Sequence, residues 1–249
     1  MKIRKRNRII GILMSMLIIA LMGVIYVYGV YHGYFLLNNP SRRNYPVRGV
    51  DVAHYQGEID WPVLAGEDID FAYIKATEGS SHVDRKFIDN WTEARKTELK
   101  IGAYHFFSFD SPGETQAANF IAQVPDEDGI LPPVVDVEYY GGKKADPPDG
   151  DVVRTELQSM LDHLEAHYGR KPVIYTTEDV WEAYLKGHYE DYPLWIRNVF
   201  TKPAIKEPWV FWQYSNRGRL SGYSGVEEFI DLNVFNGSRE EWELWMEQR

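Results

Sequence analysis

LPPVVDVEYY, residues 131–140, is the stretch on which the fold turns. The apolar, β-branched run Pro133, Val134, Val135 reads as a buried strand, and side chains along a strand alternate in direction. Asp136 and Glu138 therefore share one face, and Val137 takes the other. Two carboxyls on one face at the end of a buried strand repel each other and lose solvation, which raises one pKa and leaves the other group ionised. A general acid beside an anionic partner needs that arrangement. A lone D-x-E is more often a cap or half of an ion pair, so the weight of the pair depends on what surrounds it.

Seven further segments are short, apolar and β-rich: RGVDVA (48–53), FAYIKA (71–76), IGAYHFF (101–107), PVIYT (172–176), PLWI (193–196), VFWQY (210–214) and FIDLN (229–233). With 133–138 they make eight strands, which predicts an α/β barrel. Helical patterns lie between them. Residues 84–99 carry Phe87, Ile88, Trp91 and Ala94 at helical spacing. Ser111-Pro112-Gly113-Glu114 has the form of a capping box with Pro at the first helical position, and Ala117, Phe120, Ile121 and Val124 follow as its apolar stripe. Val153, Leu157, Met160, Leu161, Leu164 and Tyr168 make a third face, closed by Gly169. After the fifth strand the helical pattern becomes short, so a regular eightfold alternation is not expected. Residues 141–150, GGKKADPPDG, form a flexible loop directly after the acid pair, where a lid over a substrate fits.

In a barrel of parallel strands, functional groups gather at the strands' C-terminal ends. Asp51, Asp136, Glu138 and Asp231 all fall at such positions, so four acids are expected at one mouth. Lys75 and Glu78 are expected to pair nearby in a supporting role. His54 and His105 sit near strand ends, where hydrogen-bonded structural histidines outnumber metal ligands.

Residues 9–30 run for 22 positions without a charge, behind five basic residues at 2, 4, 5, 6 and 8. A helix of that length spans the roughly 30 Å hydrocarbon layer, whereas a signal-peptide core is usually about 7–15 residues. The expected organisation is a basic cytoplasmic tail (1–8), a transmembrane helix (9–31), a polar tether (32–46) and an outer domain (47–249). A long cleaved signal is the competing interpretation. Tyr26, Tyr28, Tyr31, Tyr34 and Phe35 suit an interfacial aromatic belt, and the preceding cations favour a cytoplasmic N-terminus. The first 43 residues hold seven of the 27 Lys and Arg and none of the 37 Asp and Glu, so the remainder carries 20 against 37, a net charge of −17. A body so acidic is repelled by phosphate backbones, which argues against nucleic acid as a partner. With no Cys in the chain, disulfides, thiolate metal sites and a Cys nucleophile are excluded. Eight Trp and 17 Tyr exceed what a core of this size needs, so some rings are expected to line a groove for flat apolar sugar faces.

The residues then show a resemblance. Arg48-Gly49-Val50-Asp51-Val52-Ala53-His54-Tyr55-Gln56-Gly57, Ile59-Asp60-Trp61 and Phe71-Ala72-Tyr73-Ile74-Lys75-Ala76-Thr77-Glu78-Gly79 resemble the opening of the glycoside hydrolase family 25 lysozymes. Gly102-Ala103-Tyr104-His105-Phe106, Asp136-Val137-Glu138, Trp212-Gln213-Tyr214-Ser215 and Asp231 extend it across about 48–235. The resemblance implies a flattened, irregular TIM-like (β/α) barrel that hydrolyses the β-1,4 bond between N-acetylmuramic acid and N-acetylglucosamine in peptidoglycan, with no metal or other cofactor. By position Glu138 resembles the proton donor, Asp136 the acid that assists the substrate's acetamido group, and Asp51 and Asp231 two further groove acids. Tyr104, His105, Tyr175, Trp195, Trp212 and Tyr214 are the candidate sugar-binding wall; for Phe106 a place in the core is favoured. The chain departs from the family at Ala53, where Ser is frequent, and at Arg197-Asn198, where a small residue and then a nearby Tyr are more usual, so subsite preference is in question. Two other functions remain open: a non-catalytic peptidoglycan-binding protein on the same fold, and a hydrolase using Asp51, His54, Asp136 and Glu138 around a hard cation.

Overall fold

The eight expected strands are all present, each within two residues of its predicted start, and they close into a ring. In the computed structural model, β1 (Arg48–Val52) pairs in parallel with β2 (Phe71–Glu78), and the two-residue β3 (His82–Val83) folds back on β2 outside the ring. Parallel pairing continues through β4 (Lys100–Phe106), β5 (Val134–Val137), β6 (Val173–Thr177), β7 (Leu194–Arg197) and β8 (Phe211–Gly218). β9 (Ile230–Phe235) then runs antiparallel to both β8 and β1 and closes the barrel. The structure describes residues 2–247. Met1, at the start of the basic tail, and Gln248 and Arg249, at the end of the outer domain, lie outside the described residues, as do the side chains of Lys2, Ile3 and Lys5.

Strand alternation sorts the side chains into two cores. Phe71, Tyr73, Val134, Val173, Tyr175, Trp195, Phe211 and Phe235 face inward. From below, α7 (Arg239–Glu247) inserts Trp242, stacked on Phe71 at 5.4 Å between ring centres. The barrel interior is thus a packed core beneath the mouth, as small barrels require. The outward residues Val52, Ile74, Val135, Val137 and Ile196 meet the helices, including the helical residues Phe87, Trp91, Phe120 and Leu161. In chain order the helices are α1 (Lys2–Tyr31), α2 (Trp61–Ala65), α3 (Phe87–Ala94), α4 (Gly113–Ile121), α5 (Gly150–Tyr168), α6 (Glu178–Val180) and α7. The sixth is a single turn running into a π turn, and β7 joins β8 without a helix, so the irregular second half is as expected.

Two local expectations need correction. The helix predicted over 84–99 is only α3, because Asp84 turns its carboxylate to His54 and to the Lys86 N–H, and the Thr97 hydroxyl takes the Ala94 carbonyl at 2.6 Å. The capping box at Ser111 does not form. Pro112 occupies the N-cap, and the Gly113 N–H donates to Glu156 Oε2 of α5 at 2.7 Å. Gly113 is there because α4 and α5 meet backbone to backbone: a Cβ would stand 1.8 Å from the Glu156 carbonyl oxygen. Gly113→Ala is therefore expected to cost about 1–3 kcal/mol, the usual range for an overpacked contact. Glu114→Ala, which removes the side chain a capping box would use, should leave the urea midpoint nearly unchanged.

The basic residues described at the N-terminus lie in α1, whose stretch Arg6–Tyr31 has a mean hydropathy of 2.6 and is long and apolar enough to cross a membrane. The following 32–46 segment lies against the barrel wall. Arg217 donates to the Tyr31 carbonyl and Arg219 Nε to the His32 carbonyl at 2.6 Å, while Arg48 donates to the Pro40 carbonyl. Both hairpin arginines also stack near Phe229, at 5.1 and 5.2 Å. The last turn of α1 has no basic residue of its own, so these guanidinium groups cap its free carbonyls and complement its dipole.

Candidate active site

The inward-facing alternation of the strands puts a row of polar residues one step above the apolar core. β1 contributes Asp51, β4 Tyr104 and Phe106, and β5 Asp136, with Glu138 just beyond its end; with Lys75, Tyr175, Trp195 and Asp231 they line a cleft of about 380 Å³. Asp136, Tyr175 and Trp195 occupy one level of the barrel by strand register. Glu138 stands two residues further on, about 6.6 Å along the strand at roughly 3.3 Å per residue.

Asp231 reaches the mouth by a different route from the one expected. It lies near the start of the antiparallel β9, not at a strand's C-terminal end, and pairs in register with Asp51. Burial and the neighbouring carboxyl hold Asp231 well above the ordinary carboxylate range, and Asp51 is raised with it. Asp51 Oδ2 accepts from Asn233 Nδ2 at 2.7 Å and from Gln213 Nε2 at 3.1 Å. Those amides are held in turn: Gln213 Oε1 accepts from the Tyr175 hydroxyl at 2.9 Å, and Asn233 Oδ1 from Trp195 Nε1 at 3.1 Å. Asn233→Ala would strand the Trp195 indole N–H and leave Asp51 with Gln213 as its one amide donor. A stability loss of about 1–3 kcal/mol for each buried group left unpaired is expected by denaturant titration.

All four acids are raised above their ordinary pKa values, chiefly by burial. Asp136 is held well above the carboxylate range by burial and then by the charge of Glu138; Asp231 is held well above it by burial and then by Asp51. Glu138 is raised by burial, against which the Arg197 guanidinium acts first. Oδ1 of Asp136 is buried and accepts no hydrogen bond from any of the described residues. Lys75 Nζ bonds Glu78 Oε2 at 2.7 Å, the expected pair, and lies 4.9 Å from the centre of the Phe106 ring. Phe106 is thus half-buried in the cleft wall, not in the core.

The expected sugar-binding wall divides by strand parity. Tyr104, Tyr175 and Trp195 face the cleft, although Trp195 is 1% exposed and forms its floor. His105, Trp212 and Tyr214 point to the opposite face of the sheet and are not in the cleft. His105 is fully buried between Thr77 Oγ1 (2.7 Å) and Gln116 Oε1 (3.1 Å), and burial lowers its pKa to about 4, so the ring is neutral. Trp212 donates to the Asn198 carbonyl at 2.8 Å, and the Tyr214 hydroxyl accepts from Arg48 Nη1 at 3.0 Å. His54 is engaged by Asp84 at 2.7 Å, so it does not join Asp51, Asp136 and Glu138; among the described residues no three His, Asp or Glu are grouped to hold a metal ion. Gln213 and Asn233 join the site although no motif singles them out. Their signal was the same alternation, since a strand with Trp212 and Tyr214 outward must turn Gln213 in.

Comparison with known proteins agrees with this geometry. The profile of Glycosyl hydrolases family 25 matches residues 50–223. The solved family 25 glycosyl hydrolase from Bacillus anthracis is 52% identical with a TM-score of 0.79, over 84% of this chain and 96% of that one. The bacterial lysozyme from Streptomyces coelicolor is 33% identical with a TM-score of 0.71, over 80% of this chain and 96% of that one. Lysozyme M1 of Streptomyces globisporus is 34% identical over 211 residues, which is 77% of this chain and 68% of that protein. With an acid-lined cleft at the mouth of a matching barrel, the chain belongs to family 25 of the glycosyl hydrolases and is a glycoside hydrolase of the lysozyme type.

Proposed function

We propose that the protein hydrolyses the β-1,4 bond between N-acetylmuramic acid and N-acetylglucosamine in peptidoglycan, with Glu138 as proton donor and Asp136 assisting. The observation that carries this is the Asp136–Glu138 pair on one face at the end of β5, Asp136 buried and Glu138 half-buried in the cleft, with one Asp136 oxygen free of any partner among the described residues. Burial and mutual repulsion disfavour ionising both carboxyls, so the pair holds a proton to higher pH than ordinary carboxyls do. A substrate acetamide N–H donated to Asp136 Oδ1 favours the aspartate anion and moves that proton to Glu138. Glu138 then protonates the bridging oxygen. The acetamido oxygen, steered by Asp136, attacks the anomeric carbon, and water opens the resulting ring with net retention. Asp51, fixed by Gln213 and Asn233, and Asp231 add negative charge near the oxocarbenium-like transition state.

The apolar helix supports a membrane anchor with its N-terminus in the cytoplasm and the barrel outside, in reach of the cell's own wall during turnover or remodelling. Digestion of purified peptidoglycan, with mass spectrometry of the new reducing ends, tests the bond assignment. Reducing N-acetylmuramic acid is expected. Reducing N-acetylglucosamine would assign the other glycosidic bond, and intact glycan that remains bound would make the protein a binding module.

A further inference from the structure

Beside the main cleft lies a second one of about 400 Å³, and Glu138 lines both. Its far side is Arg197 at the end of β7. Register explains the placement: Val137 pairs with Thr176 and Thr177 with Arg197, so Glu138, Thr177 and Arg197 stand on one level of adjacent strands. Two strand spacings of about 4.8 Å put the β5 and β7 backbones roughly 10 Å apart there. Arg197 follows the parity of Trp195 and so turns over the barrel mouth.

The other charged groups of this second cleft are already used. Lys144 Nζ bonds Asp179 Oδ2 at 2.6 Å, and Glu178 Oε1 accepts from Asn198 Nδ2 at 3.0 Å and from the Ala204 N–H at 2.9 Å. Arg197, half-buried, donates no hydrogen bond to a protein acceptor among the described residues. Five planar donors on a group that is always charged fit a carboxylate bidentately.

We propose that Arg197 binds a carboxylate carried by the substrate's lactyl arm, beside the bond that Glu138 protonates; this rests on the peptidoglycan assignment above. The carboxylate is either the lactyl group's own or one belonging to the peptide attached through it. A glycosidic oxygen at Glu138 brings the substituent of the adjoining muramoyl ring over Thr177, between the acid and the guanidinium. Arg197 is then a specificity-determining residue, selecting glycan that bears an anion at that point.

The competing role for Arg197 is as a counter-ion alone, since its charge lowers the pKa of all four acids. Wild type, Arg197→Gln and Arg197→Lys should be assayed on three substrates. These are strands with intact peptides, strands stripped of peptide to free lactyl carboxylates, and stripped strands whose carboxylates are converted to methylamides. The Gln variant is expected to raise KM about 10- to 100-fold on carboxylate-bearing strands, as loss of a charge-assisted pair does, and to leave the methylamide strands unchanged. The Lys variant should recover part of the loss. A loss on stripped strands only identifies the lactyl carboxylate, which is free only there; a loss on intact strands only identifies the peptide's, and a loss on both shows that the guanidinium takes either. An equal loss on the methylamide strands, in KM or in kcat, would reduce Arg197 to a counter-ion and overturn the proposal. Binding of the same strands to the Glu138→Gln protein separates the two assignments. Carboxylate-dependent binding without wild-type turnover overturns the hydrolase and keeps the Arg197 site, whereas turnover without carboxylate dependence does the reverse.

Discussion

Glu138→Gln is expected to lower kcat on peptidoglycan about 10²–10⁴-fold, the usual contribution of a positioned general acid, with KM little changed. Gln preserves the shape of the side chain and its hydrogen-bonding capacity, so the cleft should still accept glycan; what it cannot do is give up a proton to the leaving oxygen. The pH dependence follows from the same group. A donor must be protonated to act, and burial raises the Glu138 pKa, so the alkaline fall in activity should come at higher pH than for an ordinary glutamate. Arg197 opposes that rise, and Arg197→Gln should therefore move the alkaline limb upward if it moves at all. Near-normal release of soluble fragments from purified sacculi by Glu138→Gln would remove this residue from the chemistry.

Asp136→Asn should separate activity from stability. An amide cannot carry the negative charge that steers the acetamido group, and a loss of about 10²–10³-fold in kcat is expected, as for removal of other preorganised electrostatic groups. The fold should respond in the opposite direction. The folded-state pKa of Asp136 lies well above the unfolded value, so the folded protein binds the extra proton, and stability falls as pH rises from the unfolded pKa through the folded one. Below pH 3.8, the ordinary value for Asp, both states are protonated and the penalty vanishes. Asp136→Asn should therefore raise Tm at pH 7 and lose that advantage near pH 3.5. An Asn variant that is less stable than wild type at pH 7 would show that the buried carboxylate is better compensated than its unpartnered oxygen suggests.

The barrel was legible because each of its strands is short, apolar and bounded by polar turns, and because a period of two assigns faces without any tertiary knowledge. The same period, applied one strand at a time, would have removed His105, Trp212 and Tyr214 from the sugar-binding wall. Aromatic character had suggested them, but Tyr104 and Gln213 claim the inward positions beside them. The capping box at Ser111 failed for another reason. Its letters were right, yet Gly113 is required by the close approach of α5, a contact 43 residues away along the chain.

The sequence by itself determined the eight strands, the membrane-length apolar helix and the common face of Asp136 and Glu138, since each is a matter of local periodicity. Only the tertiary structure decided that β9 runs backwards and brings Asp231 against Asp51, that Gln213 and Asn233 hold that pair, and that Arg197 stands across Thr177 from Glu138. Those relations join residues as much as about 180 positions apart, and strand direction and ring closure set them, not the spacing of residues along the chain.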